Sequence, residues 1–568
     1  MERVTRVRSG NAIPACRLAA LGVKLGALAL FVVWTNFGFA ERVTLLRESS
    51  RWSALLPFIG VWGLSLAALL IAAFQPNRWI RVLWAGLLAF SSGVAYGYHL
   101  TSGSELTVFE ALSLWGARHE LYRAAQFYQR GFLWFAAALL GGVVLMVMPP
   151  AVRSPVARRW IGRLAWAPAM PVAVIAAILF LKDGKGSQAL PVQFTPLAIA
   201  AIMGEKLAMS ATVERQPVAW NPSRRVARKI VMLVDESIRA DYIDWEPGNA
   251  YTPELASLKD RLIDYGPAAS SANCSHTANA ILRLLGAPKT LVHTLQTGPT
   301  IWQYAKKAGY YTVYVDAQAG QNKDPGKLQN YMTLRETQDI DEFYALDRKI
   351  PAAEADYRLL EIVLAKLKPD QPVFIYANKN GAHFPYDSAY PASEAIFHPT
   401  MTAAGGGNNP ARVNSYRNSV RWSVDRFFRR FFDAADLSET ALIYTSDHGQ
   451  VLQEGRLPHC TVANPNSREG LVPLFAATGD EGLRARFTQG ARQSMAHASH
   501  FSIAPTLLGL MGYAESDVHH VYGASLFERS DEEAAFTSGD VFGLFSQSVR
   551  WHRLDLTKSY LESGGSAR

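Results

Sequence analysis

Apolar residues are not spread evenly along this chain. They crowd into five runs in its first third: Leu18 to Ala40, Trp52 to Phe74, Val82 to Tyr98, Phe132 to Met148 and Leu164 to Leu181. Each run approaches or reaches the roughly 20 residues that a helix needs to cross a bilayer, so the pattern predicts five transmembrane helices. A cleaved signal peptide fits the first run poorly, because it is longer than a usual signal core, lacks a small-x-small cleavage site and precedes four more runs. Between the third and fourth runs, Leu106, Phe109, Leu112 and Trp115 recur at helical spacing, which predicts an amphipathic helix on the outer membrane surface.

The pattern changes at Ile230. Short apolar runs, Ile230 to Val234, Tyr311 to Val315, Val373 to Tyr376 and Ala441 to Tyr444, read as buried strands, and the segments between them are long enough for helices. That alternation predicts an α/β sheet with helices on both faces, whose ligands bind beyond the carboxyl ends of the strands. The predicted organisation is a membrane domain over 1–182, a linker over 183–225 and an α/β domain over 226–568.

Charge adds an orientation. Arg3, Arg6, Arg8 and Arg17 lie before or at the first run, and Arg153, Arg158, Arg159 and Arg163 fill the fourth connector. Basic residues in short loops stay on the cytoplasmic side, so five spans put everything after Leu181 outside the cytoplasm. The net charge of +9 is partly this topological signal, and with no nucleic-acid motif it gives no reason to expect a nucleic-acid partner. Of the three cysteines, Cys16 sits at the cytoplasmic membrane edge. Cys274 and Cys460 fall in the exported part, where a disulfide is permitted; both adjoin candidate site residues, which makes their pairing a hypothesis.

The residues that follow the predicted strands carry the chemistry. The first strand ends in Asp235-Glu236-Ser237-Ile238-Arg239-Ala240-Asp241 and the last in Ser446-Asp447-His448-Gly449. Carboxylates and an imidazole converging on one sheet edge suit zinc, which takes oxygen and nitrogen ligands in tetrahedral geometry. Between them, Asn273-Cys274-Ser275-His276-Thr277-Ala278 runs into an apolar segment that reads as a helix start. A hydroxyl there sits among unbonded backbone N–H groups, which favour an alkoxide and a bound phosphate. Read without context, Thr277 or Ser275 could equally be an ordinary helix cap.

The order Glu236, Thr277, Asp447, His448, with spacings of 41, 170 and 1, resembles the membrane-anchored phosphoethanolamine transferases of the alkaline phosphatase and sulfatase superfamily, which include lipid A modifying and mobile colistin resistance enzymes. Their Gly-Glu-Thr-Ala-Arg-Ala-Asp motif is similar to Asp235 to Asp241, and their Ser-Asp-His-Gly motif to Ser446 to Gly449. The resemblance implies a sulfatase-like catalytic domain in the periplasm, carried on five helices in the inner membrane of a bacterium. It implies Zn2+, as one ion or two, held by Glu236, Thr277, Asp447 and His448, with Thr277 as nucleophile. By the same resemblance His383, in Asn380-Gly381-Ala382-His383, and His459 bind substrate, as does Lys323 near the donor headgroup. The implied reaction moves phosphoethanolamine from a phospholipid, phosphatidylethanolamine, to an envelope acceptor such as lipid A or a glycan, through a phosphothreonine.

The chain departs from that family in lacking its usual disulfide set and in having Asp235 where the family has glycine. Two alternatives remain: a phosphoglycerol transferase of the lipoteichoic-acid-synthase or glucan-modifying type, and an inactive membrane scaffold or sensor. A formylglycine sulfatase is disfavoured, because its Cys/Ser-x-Pro-x-Arg motif would need proline and arginine where His276 and Ala278 stand.

Overall fold

The computed structural model describes residues 15–116, 128–149, 154–210, 214–318, 330–347, 349–405, 409–453, 457–546 and 548–561. The chain divides into two compact units, Met1–Ala111 with Ala124–Ala208, and Leu112–Arg123 with Met209–Arg568.

The first unit is helical. Among the described residues, Trp52–Ala73, Arg78–Ser102 and Gln129–Val147 are long and apolar enough to cross a membrane. A fourth span exists if Ala19–Thr35 and Phe39–Glu48 count as one, although the pair is bent by 68°. The bend falls at Gly38, whose φ of 76° is open to glycine at little cost. The fifth apolar run gives a helix of only 13 residues, Ala169–Leu181. Residues 164–168 form a turn before it, so the run is not one continuous rod, and Pro155–Arg163 is a separate helix in the connector. Lys24 knots this unit together: its buried ammonium donates to Ala73 O at 2.9 Å, Met146 O at 3.3 Å and Met148 O at 2.7 Å. Those carbonyls close the carboxyl ends of two helices, where a cation also meets the negative end of the helix dipole.

The stretch expected as a linker is only partly irregular. Its first residues pack on the helices, with Trp62 Nε1 donating to Ala189 O at 3.0 Å and Ser91 Oγ to Val192 O at 2.8 Å. The helix Thr195–Ser210 follows. Leu106, Phe109 and Leu112 are buried around the helix Val108–Gly116.

The second unit is built on a seven-stranded sheet of β1 (Lys229–Asp235), β2 (Ile263–Ala269), β3 (Tyr311–Asp316), β4 (Glu342–Ala345), β5 (Val373–Asn378), β6 (Thr440–Ser446) and β7 (Leu471–Thr478), in the order β2-β7-β6-β1-β5-β3-β4. The pairs β6-β1-β5-β3-β4 are parallel, while β7 runs antiparallel to both β6 and β2. The four strands legible in the sequence are the buried parallel centre. β2 contains Gly266 and Pro267 and β7 contains Pro473, residues that weaken a strand signal; Pro267 faces Pro473 across a register shift. The core over the sheet gathers Met232, Val234, Trp302, Tyr314, Phe374, Tyr376 and Ile443.

Candidate active site

Four parallel strands release their chemistry-bearing residues at one edge, because parallel strands share a carboxyl end. Registry sets Asp235 of β1 opposite Ser446 of β6, so Glu236 and Asp447 leave adjacent strands side by side. The turn after β1 is tight, with Ser237 at φ 61°, a left-handed conformation rare for a residue with a Cβ. Its amide donates to Asp447 Oδ1 at 3.0 Å, its hydroxyl to Glu236 Oε1 at 2.7 Å, and the next amide, of Ile238, to Ser446 Oγ at 2.7 Å.

One ligand atom each from Glu236, Asp447 and His448 lies within 4.8 Å of the others, all buried. Asp447 Oδ2 has no hydrogen-bond partner among the described residues. Burial, and then the neighbouring Glu236 charge, push the Asp447 carboxyl well above its ordinary range. Burial also opposes the charge on Glu236, but the hydrogen bond and charge of His448 hold it well below. Against burial, the Asp447 and Glu236 carboxylates raise His448 to about 9. Two buried carboxylates therefore compete for one neutralising proton, and an orphaned oxygen points into the cluster. A divalent cation would satisfy both, so these residues fit the zinc expected there.

The hydroxyl brought to this cluster is that of Ser275. Its Oγ lies 2.9 Å from His448 Nε2 and 3.2 Å from Glu236 Oε1, at the first residue of the helix Ser275–Arg283. Thr277 departs from the expectation: its Oγ1 donates back to Cys274 O at 2.8 Å. Two residues on from Ser275, its side chain leaves the helix about 200° further around the axis. Cys274, the helix N-cap, is joined to Cys460 by a disulfide, with Cα atoms 4.6 Å apart. Cys460 N also donates to Asn273 O at 2.8 Å.

His383 arrives from the turn after β5. That turn needs Gly381 at φ 52°, because a Cβ there would strike Asp235 and the Glu236 backbone. His383 Nδ1 lies 2.7 Å from Phe384 O. His459 stacks at 31° on His448, with ring centres 4.4 Å apart. The structure thus brings Glu236, Asp447, His448 and His459 together; Lys323 lies outside the described residues.

Two polar contributors were missed in the sequence. Gln318, just beyond β3, donates through Nε2 to Glu236 Oε2 at 3.0 Å and to Lys379 O at 2.6 Å. Lys379, directly after β5, reaches Asp235 Oδ2 at 2.5 Å with no exposure to solvent. The signal available for both was their place at the carboxyl end of a buried strand, the same rule that singled out Glu236.

A family model described as sulfatase matches residues 228–513, about half of the chain. Over 157 residues the chain is 30% identical to the Kdo(2)-lipid A phosphoethanolamine 7''-transferase of Salmonella typhimurium, covering 26% of this chain and 27% of that protein. Over 146 residues it is 30% identical to the phosphoethanolamine transferase EptA of Escherichia coli, covering 23% and 26%. The chain thus spans about a quarter of the length of these curated relatives. Among solved structures, the integral membrane protein lipooligosaccharide phosphoethanolamine transferase A of Neisseria meningitidis aligns over 89% of this chain and 98% of its own, with a TM-score of 0.61. At 16% identity that likeness is one of fold.

Proposed function

This chain belongs to the sulfatase family, and from that premise we propose that it is a membrane-anchored transferase that moves phosphoethanolamine from a phospholipid to lipid A or another envelope acceptor. The observation that carries this reading is the buried Glu236, Asp447 and His448 cluster with the Ser275 hydroxyl against it, at the start of a helix. Nothing in that arrangement resembles a solvated surface patch, and a hydroxyl between a helix N-terminus and a metal-ligand set suits attack on phosphorus. Zinc bound by these residues would lower the hydroxyl pKa and offset charge on the phosphoryl oxygens.

In the proposed cycle Ser275 Oγ attacks the phosphorus of the donor phosphodiester and the bond to the diacylglycerol oxygen breaks. The serine proton is released and diacylglycerol leaves with a proton on its oxygen. The acceptor oxygen then attacks the same phosphorus, the bond to Ser275 Oγ breaks, and the serine regains a proton. His383, whose charge acts on Glu236, and His459, on the ring of His448, lie beside the cluster and suit accepting a proton from the donor ammonium or the acceptor hydroxyl. Thr277 supports this indirectly, by bonding the N-cap carbonyl of the helix that begins at Ser275.

The test is transfer of a labelled headgroup from phosphatidylethanolamine to lipid A by the full chain in lipid. We expect transfer that is lost on chelation and restored by zinc. Release of glycerol phosphate from phosphatidylglycerol instead would move the chain to the phosphoglycerol class, and no turnover of either lipid would refute the reading.

The membrane arrangement is proposed as five spans, taking the bent pair as one and Ala169–Leu181 as the short fifth. The domains are those expected from the sequence, 1–182, 183–225 and 226–568, with the catalytic domain on the periplasmic side of the inner membrane. Arg158, Arg159 and Arg163 on the helix Pro155–Arg163 support a cytoplasmic fourth connector. A reporter active only outside the cytoplasm, fused after Lys182, should be active. A silent fusion, with a cytoplasmic reporter working at the same point, would reverse the topology.

A further inference from the structure

Gln450 lies two residues beyond His448, is wholly buried, and is given no task by the cycle above. Its amide spans two side chains: Nε2 donates to the Tyr386 hydroxyl at 2.6 Å, and Oε1 lies 3.1 Å from His459 Nδ1. Tyr386 is itself buried, edge-on to Phe384 and Tyr416 with ring centres 5.1 and 5.2 Å away. Tyr416 in turn donates to Ser237 O at 2.7 Å, beside Glu236. A continuous line of packed side chains therefore runs from the Glu236 turn, through Tyr416, Tyr386 and Gln450, to the ring of His459.

What that line fixes follows from the hydrogen-bonding capacity of each atom. His448 Nδ1 lies 2.6 Å from Gly449 O and His383 Nδ1 lies 2.7 Å from Phe384 O. A carbonyl oxygen can only accept, so both rings carry a hydrogen on Nδ1. His459 differs, because the partner of its Nδ1 is a side-chain amide, and an amide can present either oxygen or nitrogen. Gln450 therefore decides the tautomer of His459. With oxygen toward the ring, His459 is the Nδ1–H form and matches the other two; with nitrogen toward it, His459 would carry its hydrogen on Nε2.

We propose that Gln450, anchored on Tyr386, is a positioning residue that holds His459 as the Nδ1–H tautomer, so that the neutral ring keeps its lone pair on Nε2. The catalytic consequence rests on the proposed transfer reaction; the tautomer is a property of the chain by itself. A neutral amide suits this place, because Glu236 and Asp447 already bring two carboxylates into the same buried volume. Ordinary metal and catalytic histidines are oriented in the same way, by an acceptor on the far ring nitrogen.

Two arms test the proposal on the full chain in lipid nanodiscs. In 15N-histidine-labelled protein, the ring signals lost in His459→Gln identify His459, and they should show a protonated Nδ1 and an unprotonated Nε2. A protonated Nε2 on a neutral His459 ring would overturn the assignment. In the transfer assay, Gln450→Leu should lower kcat by about 100-fold with KM little changed and an unaltered melting temperature. Gln450→Glu should restore kcat to within about tenfold of wild type, since a carboxylate accepts from both Nδ1–H and the Tyr386 hydroxyl. Wild-type kcat in Gln450→Leu, or a Gln450→Glu variant as slow as Gln450→Leu, would refute the role. A wild type that transfers nothing would sink the proposed reaction instead, leaving the nitrogen spectrum to judge Gln450.

Discussion

Ser275→Ala should lower headgroup transfer by at least about a thousandfold while membrane insertion and the fold persist, because covalent transfer cannot proceed without its nucleophile. The Ser275 hydroxyl touches both Glu236 and His448, and no other hydroxyl of the same helix start does so among the described residues. Thr277→Ala removes a hydrogen bond to the N-cap carbonyl, a loss of about 0.5–1.5 kcal/mol in stability, and should leave most turnover in place. Ser275→Thr retains a hydroxyl and should keep part of the rate. With donor lipid and no acceptor, the wild type should gain a phosphoethanolamine adduct, localised by fragmentation to Ser275. The adjacent Thr277 lies in the same stretch, so the experiment has a clear opposite result. An adduct on Thr277, or an inactive Thr277→Ala beside an active Ser275→Ala, would return the nucleophile to the threonine that the family resemblance favours.

Lys379→Met should strongly destabilise the second unit. The Lys379 ammonium lies 2.5 Å from Asp235 Oδ2, 3.6 Å from Asp356 Oδ2 and 2.5 Å from Ser423 O, above the Phe427 ring at 4.1 Å. Ser423 belongs to the π-helical stretch Arg421–Arg426, whose wider turn leaves a carbonyl to accept it. Each carboxylate in turn pins a loop of the site. Asp235 Oδ1 accepts from Glu236 N at 3.0 Å, while Asp356 accepts from Asn380 N at 2.6 Å and Gly381 N at 3.1 Å. Removing the cation leaves two buried carboxylates uncompensated, which costs about 3–5 kcal/mol. In thermal melts that is a fall of about 5–15 °C. Adding Asp235→Asn to Lys379→Met should recover part of the loss, since the two positions are in contact and not independent. A Lys379→Met protein that melts with the wild type would show that the ammonium compensates nothing.

The Asp235 carboxylate also accounts for the main departure from the family motif. Where relatives of this type have glycine, this chain has a carboxylate, and the structure supplies Lys379 on the neighbouring strand end to match it. The pair is 144 residues apart in sequence, and only parallel pairing of β1 with β5 makes them neighbours.

The sequence by itself determined the apolar helices of the first unit, the four central strands, and the Glu236, Asp447 and His448 cluster. These were legible because each depends on local pattern: a long apolar run, a short buried run, and polar residues immediately after it. The strands with glycine and proline, β2 and β7, lacked that pattern and are held by partners far away in the chain. Whether Ser275 or Thr277 faces the Glu236, Asp447 and His448 cluster was likewise beyond the sequence, since a shift of one residue at the helix start turns every side chain by about 100°. The tertiary structure decided it through the N-cap at Cys274, which the disulfide to Cys460 ties to the loop of His459. The roles of Gln318, Lys379 and Gln450 were not legible for the same reason, although Gln318 and Lys379 stand at strand ends. A buried polar side chain acquires its meaning from the partner that satisfies it, and those partners are brought by other strands and loops.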